Sequence, residues 1–246
     1  MSSVTHSLER RLSLSGAYNV RDLGGYSTMD GRTIHWGRFY RADGLHKLTE
    51  DDQKALLVRG LHTVIDLRHE HELKQFKNVF SDSNEVAYYN VSLVNPATTN
   101  RKDIHTLGDL YIDMLDNVQP ELLRVFQLLA SGGGQAVLFH CSAGKDRTGV
   151  TAALLLGLAG VPEETIIADY SLTGECIAPL MEELRKGKPE GLPDESYDKF
   201  LGSDPGNMIM MLEHLKAKYG GAENYLASIG LTEPELNALR AKLLEE

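Results

Sequence analysis

One decapeptide, His140-Cys-Ser-Ala-Gly-Lys-Asp-Arg-Thr-Gly149, constrains what this chain can fold into more than any other stretch. It lies between the apolar run Ala136-Val-Leu-Phe139 and the buried-helix pattern Val150-Thr-Ala-Ala-Leu-Leu-Leu156. Strand, tight loop and helix N-terminus in that order aim backbone amides and the positive end of a helix dipole at one point, which favours an anion there. A cysteine on the floor of such a cradle is driven toward its thiolate. A free thiol titrates near pH ~8.5, whereas helix N-termini and neighbouring cations bring it to roughly 3.5–7.5. The field that holds a thiolate also holds a phosphate, so the C-x5-R spacing points to phosphoryl transfer onto sulfur.

Each position fits that chemistry. Cys141 is the nucleophile that attacks phosphorus and splits hydrolysis into two easier steps. Arg147, planar and permanently charged, grips two equatorial oxygens. Ser142, Ala143, Gly144, Lys145 and Thr148 form the phosphate-binding frame. Within it, Gly144 lets the backbone curl, the Thr148 hydroxyl reaches for the sulfur, and Lys145 is a mobile charge at the rim. His140 steadies the loop from behind. The leaving oxygen needs a proton, and two carboxyl groups are candidates: Asp146 inside the loop, and Asp66 in Val64-Ile-Asp-Leu-Arg68 at the carboxyl end of an apolar strand. Asp146 is favoured because its sequence position fixes its proximity to the nucleophile. A nucleotide-binding loop is excluded, since Phe139 stands where that motif needs glycine and Asp146 where it needs Ser or Thr.

His140-Cys-x5-Arg147-Thr-Gly149 resembles the active-site loop of the cysteine-dependent protein tyrosine phosphatase superfamily. Together with Asn19-Val-Arg-Asp-Leu-Gly-Gly25, Tyr40-Arg-Ala-Asp43 and Val64-Ile-Asp-Leu-Arg68, the Gly144-Lys-Asp-Arg-Thr148 version is similar to a bacterial and fungal subfamily. The resemblance implies tyrosine phosphatase activity, with phosphoinositides or phosphoserine and phosphothreonine as further substrates. It implies Asp146 as the proposed acid and Asp66 as a residue facing the site, with Arg68 in support. It also implies a helical insertion after the active-site helix, over 163–219, as a candidate lid. The W-P-D acid loop of eukaryotic receptor-like relatives has no counterpart, since Trp36, the single tryptophan, is followed by Gly37.

Alternating helical and buried-strand patterns predict an α/β fold, a central mostly parallel sheet flanked by helices, in one domain over 1–246. A helix capped by Thr49 and ended by Gly60, helices over 107–117 and 121–130, and a last helix opened by the Thr232-x-x-Glu235 capping box are all legible. The net charge of −10 argues against nucleic acid as a partner. It also requires local cations at the site: Lys145, Arg147 and Arg68, with Arg21 and Arg41 read as braces. No cofactor or metal is called for. His69-Glu-His-Glu72 lacks the spacing that puts two imidazoles on one helical face and reads as a solvated helix start. Two cysteines make no disulfide scaffold, and Cys176 reads as a packed residue. With no apolar segment at Met1–Arg10 and no long apolar run, a cytoplasmic protein without stable membrane insertion is expected, leaving signal-less export open. The competing functions are a phosphate-binding pseudophosphatase and arsenate or sulfur redox chemistry. The first would have lost turnover despite a complete residue set. The second would need Cys176 as resolving thiol.

Overall fold

Five short strands form the sheet that carries the decapeptide, in a computed structural model describing residues 10–95, 104–188, 191 and 193–245. They are β1 (Arg21–Asp22), β2 (Phe39–Ala42), β3 (Leu61–Asp66), β4 (Ala87–Asn90) and β5 (Ala136–His140), in the spatial order β1-β2-β5-β3-β4. All neighbours are parallel except the edge pair β1-β2. The register sets Ala42, His140 and Asp66 side by side at the carboxyl ends of β2, β5 and β3. That edge is where open α/β sheets present their ligand sites. The N-terminal stretch 1–9, read above for a targeting signal, lies outside the described residues.

Alternation along β5 divides the core in two. Val137 and Phe139 face the larger apolar cluster, which is built mainly from helices, while Ala136 and Leu138 face a smaller one with Val20, Leu45 and Leu56. The smaller side carries α1 (Glu50–Val58), opened by a reciprocal Thr49–Asp52 capping box and ended before Gly60 at φ 81°. The short α2 (Glu70–Gln75) follows β3. The larger side holds α3 (Leu107–Asn117), α4 (Gln119–Ala130), α5 (Asp146–Leu158), α6 (Glu163–Ile177), α9 (Pro205–Tyr219), α10 (Ala222–Ser228) and α11 (Glu233–Leu243). Between α6 and α9 come α7 (Met181–Lys186) and α8 (Asp194–Leu201). α5 is apolar around its whole circumference, with Val150, Leu154, Leu155 and Leu156 at 0 % exposure, because the sheet and the helices α3, α6 and α10 enclose it.

The segment 163–219 therefore has two characters. α6 and α9 belong to the main core through Ile166, Tyr170, Met208, Met211, Leu212 and Leu215. The helical turn Ala178–Leu180, α7 and α8 lie outside it. Of three closely spaced methionines on α9, Met208 and Met211 are buried at 0 %, while Met210 is exposed at the surface and rests against Gly108. Met208→Ala should accordingly lower stability by about 2–5 kcal/mol, and Met210→Ala by about 0.5 kcal/mol or less. Urea denaturation of the two variants checks this difference.

Candidate active site

The loop after β5 is shaped by where its carbonyls go. His140 Nδ1 lies 3.0 Å from the Cys141 carbonyl oxygen, and the Gly44 amide donates to the Ser142 carbonyl over 2.9 Å. Asn19 Nδ2 donates to the carbonyls of Ala143 (2.9 Å) and Gly144 (3.2 Å), and Arg41 Nη2 to that of Gly144 (2.8 Å). Four successive carbonyls are thus held on the outside. No described peptide bond is cis. In a trans peptide the N–H points opposite to its C=O, so the amides of Ser142, Ala143, Gly144 and Lys145 are left on the inner side. Gly144 is in the left-handed region at φ 66°, and a Cβ there would lie 2.5 Å from the Ala42 carbonyl oxygen. Only glycine lets the loop lie this close to β2.

Cys141 sits on the floor of this concavity at 1 % exposure, and α5 begins at Asp146 with its N-terminus aimed at it. The Thr148 hydroxyl is buried without a hydrogen-bond partner among the described residues, so a donor is available inside the cradle. Arg147 pairs end-on with Glu72: Nη1 to Oε2 at 2.6 Å and Nη2 to Oε1 at 3.0 Å. This uses one hydrogen on each terminal nitrogen and leaves the Nε–H and outer Nη–H fork for a phosphate. Glu72 Oε1 also accepts from the Ser142 hydroxyl. Burial raises the Glu72 pKa, but the bonds from Arg147 outweigh it and bring it down to about 2.

Lys145 is not the mobile rim charge that the sequence suggested. It is buried, and its ammonium donates to the carbonyls of Phe200 (2.5 Å) and Gly202 (3.0 Å) at the C-terminal end of α8. The negative end of that helix dipole and its unpaired carbonyls draw the ammonium away from solvent.

The two candidate acids stand in opposite surroundings. Asp66 is fully buried, and its carboxylate accepts from Arg68 Nε (2.9 Å), Arg68 Nη2 (2.7 Å), the Arg68 amide, Asn78 Nδ2 and the Tyr88 hydroxyl. Burial raises its pKa, yet His140 and Arg68 overcome that effect and hold it far below the usual carboxylate range. Asp146 is partly exposed beside the loop. Its Oδ1 accepts from the Tyr111 hydroxyl at 2.6 Å, and Lys145 Nζ lies 3.6 Å away.

Arg21 and Arg41 are braces, as expected. Both are 1 % exposed and close on Asp169 of α6, with Arg21 Nε on Oδ1 at 2.9 Å and Arg41 Nη1 on Oδ2 at 2.5 Å. Burial raises the Asp169 pKa, but the two guanidinium groups overcome it and keep the carboxylate ionised.

The tyrosine phosphatase family model matches residues 12–245. The chain belongs to the tyrosine phosphatase family. It is 34 % identical over 225 residues to a tyrosine-protein phosphatase of Nostoc commune, covering 83 % of this chain and 74 % of that one. It is 31 % identical to a putative tyrosine-protein phosphatase of Cupriavidus necator, covering 85 % of this chain and 80 % of the relative. The triple specificity protein phosphatase PtpB of Mycobacterium tuberculosis is 26 % identical, with 94 % of this chain and 98 % of that one covered. The chain is accordingly a phosphatase enzyme of α/β architecture.

Three site residues of this phosphatase escaped the sequence reading. Glu72 was weighed only within His69-Glu-His-Glu72; in the structure His69 caps α2 while Glu72 turns inward to Arg147. Its position at N3 of the helix capped by His69, four residues beyond Arg68, is the available signal. Asp169 is a charge on the buried face of α6, three and four residues from Ile166 and Thr173, which marks a paired carboxylate. Tyr111 carried no sequence signal beyond its place on an apolar helical stripe. Cys176 is a free, buried cysteine on α6.

The Glu72–Arg147 pair has a testable pH signature. A carboxyl depressed by folding contributes stability above its ordinary value of 4.5 and loses it as pH falls through about 2. Glu72→Gln should therefore be less stable than the native chain near neutrality, with the gap closing between pH 4.5 and about 2 in urea titrations. Its kcat/KM should fall on the order of 10- to 100-fold, because a misplaced Arg147 no longer presents its fork.

Proposed function

We propose that this phosphatase hydrolyses phosphomonoesters through a cysteinyl-phosphate on Cys141, with phosphotyrosine in proteins as its principal substrate class. The observation that carries the reading is the Cys141 sulfur recessed beneath a loop whose four carbonyls are all held outward. The sulfur lone pair attacks phosphorus while the P–O bond to the leaving group breaks. The loop amides and the Arg147 fork carry the charge on the equatorial oxygens, and Thr148 donates toward the sulfur. Asp146 gives the leaving oxygen its proton, then takes one from the water that attacks the thiophosphate and releases inorganic phosphate. No cofactor enters these steps.

Asp146, not Asp66, fits the acid role. Asp66 is saturated with donors and held ionised, so it has no proton to give; it positions Arg68 and His140 behind the loop. Lys145 fixes α8 against the loop and contributes field to the phosphate from a distance. This makes α7 and α8 the part of 163–219 fit to act as a lid. A recessed thiol favours the long phosphotyrosine side chain. His46 and Phe76, in tilted contact with ring centroids 4.7 Å apart, give the neighbouring wall an aromatic surface, with His46 lying against Gly44 of the loop brace. Phosphoserine, phosphothreonine and phosphoinositides are secondary classes; a specificity broader than one class is in keeping with the mycobacterial relative's name, a triple specificity protein phosphatase. The net charge of −10 argues against nucleic acid as a partner, and among the described residues no helix is long and apolar enough to cross a membrane. Two free buried cysteines suit a reducing compartment such as the cytoplasm.

Hydrolysis of p-nitrophenyl phosphate should persist in chelator and vanish in Cys141→Ser; a variant retaining most of the activity would overturn the assignment. Arg147→Ala should cost on the order of 10³-fold in kcat/KM. Asp146→Asn should impair poor leaving groups far more than good ones, whereas Asp66→Asn should reduce both alike. Phosphotyrosine peptide should be turned over faster than phosphoserine peptide or phosphoinositide in parallel assays.

A further inference from the structure

Behind Asp146 runs a chain of hydrogen bonds that the reaction as written above does not use. The Tyr111 hydroxyl donates to Asp146 Oδ1 over 2.6 Å, and it lies 2.7 Å from the Tyr170 hydroxyl. Tyr111 has one hydroxyl proton, and the carboxylate takes it, so Tyr170 must be the donor to the Tyr111 oxygen. The Asn207 side chain stands beside the Tyr170 hydroxyl and favours negative charge on its oxygen. Asn207 Oδ1 is already occupied by the Gly108 amide at 3.1 Å, so its Nδ2 is the group left to face the Tyr170 oxygen. Gly108 lies in the first turn of α3, where the amides have no partner within the helix.

The directions agree: the Gly108 N–H donates to Asn207, Asn207 turns its amide nitrogen to the Tyr170 oxygen, Tyr170 donates to Tyr111 and Tyr111 to Asp146. A chain in which every member donates the same way polarises each bond in turn. It starts at the positive end of the α3 dipole, passes through α9 and α6, and ends on one carboxylate oxygen. Both tyrosines are buried, and burial together with the Asp146 charge pushes their phenols above the ordinary range, so Tyr111 remains a donor at any working pH. The charged and titratable groups facing Asp146 are Lys145 and Arg147 from its own loop, Tyr111 from α3 and Tyr170 from α6.

We infer that Tyr111, backed by Tyr170 and Asn207, is the positioning residue for the general acid. It commits Oδ1 to the interior, so that Oδ2 alone faces the leaving group and carries the exchanged proton. This rests on Asp146 being the acid. The relay stabilises the carboxylate that forms when the proton departs, so it assists the step in which the leaving oxygen is expelled. It also ties the acid to α9, because Asn207 stands in the first turn of that helix.

The decisive comparison sets Tyr111→Phe and Asn207→Leu beside Asp146→Asn, with kcat measured across pH for a good and a poor phenolic leaving group. Tyr111→Phe keeps the ring and removes only the donor. It should lower kcat for the poor leaving group about tenfold or more, spare the good one, and leave KM nearly unchanged. Losing a donor to a carboxylate raises its pKa, so the basic limb of the kcat profile, where the acid loses its proton, should move to higher pH. Asn207→Leu should move both readouts the same way by a smaller factor. Circular dichroism and urea midpoints establish that the variants are folded. If Asp146→Asn shows the leaving-group dependence while Tyr111→Phe keeps the native profile, the relay is overturned and the acid assignment stands. If Asp146→Asn shows no such dependence, both fall. If Tyr111→Phe lowers kcat equally for both leaving groups with an unshifted limb, the tyrosine is merely structural and the inference fails.

Discussion

Everything in this site depends on the outward capture of four consecutive carbonyls. A loop can turn its amides toward an anion only if its carbonyl oxygens find partners on the other side, since buried polar groups left unpaired are costly. His140, the Gly44 amide, Asn19 and Arg41 supply those partners. Arg41 can do so only because Asp169 neutralises it, and Asp169 is shared with Arg21, which also bonds Asn19. The catalytic loop, the β1-β2 hairpin edge and helix α6 are thereby joined through one buried carboxylate. Removing one partner of a buried ion pair costs about 3–5 kcal/mol. The brace thus belongs to the fold as much as to the chemistry.

The two carboxyl groups near the loop illustrate how environment assigns roles. Asp66 lies at the end of a parallel strand, surrounded by donors that hold it ionised. Asp146 lies at the first position of α5, partly exposed, with one oxygen engaged by the Tyr111 hydroxyl. Sequence proximity to Cys141 supports the same proposed order, for a cruder reason. Glu72 supplies a third role. By taking the end-on face of Arg147 it pre-orients the side-on fork, so the arginine need not be ordered at the moment substrate arrives.

Much of this was legible in the chain because it depends on local pattern. The strand-loop-helix order around Cys141, the Thr49 and Thr232 caps and the glycine stops follow from neighbours a few residues apart. The bracing role of Arg21 and Arg41 followed from motif context. What escaped notice depends on contacts between distant segments. Lys145 reads as a rim charge until the C-terminal end of α8, more than fifty residues later, is seen to cover it. Met208 and Met211 become core residues only once α9 is packed against α3. Tyr111 is an ordinary apolar-face tyrosine until Asp146 is placed above it.

The central claim is that the loop binds the transferring phosphoryl group through inward amides above Cys141. A crystal structure with orthovanadate, which takes the five-coordinate geometry of the transition state, tests it most directly. The vanadium should lie in line with Cys141 Sγ, its equatorial oxygens on the amides of residues 142–147 and on the Arg147 fork, with Asp146 Oδ2 at the apical oxygen. Vanadate bound elsewhere, or loop carbonyls turned inward toward it, would contradict the account.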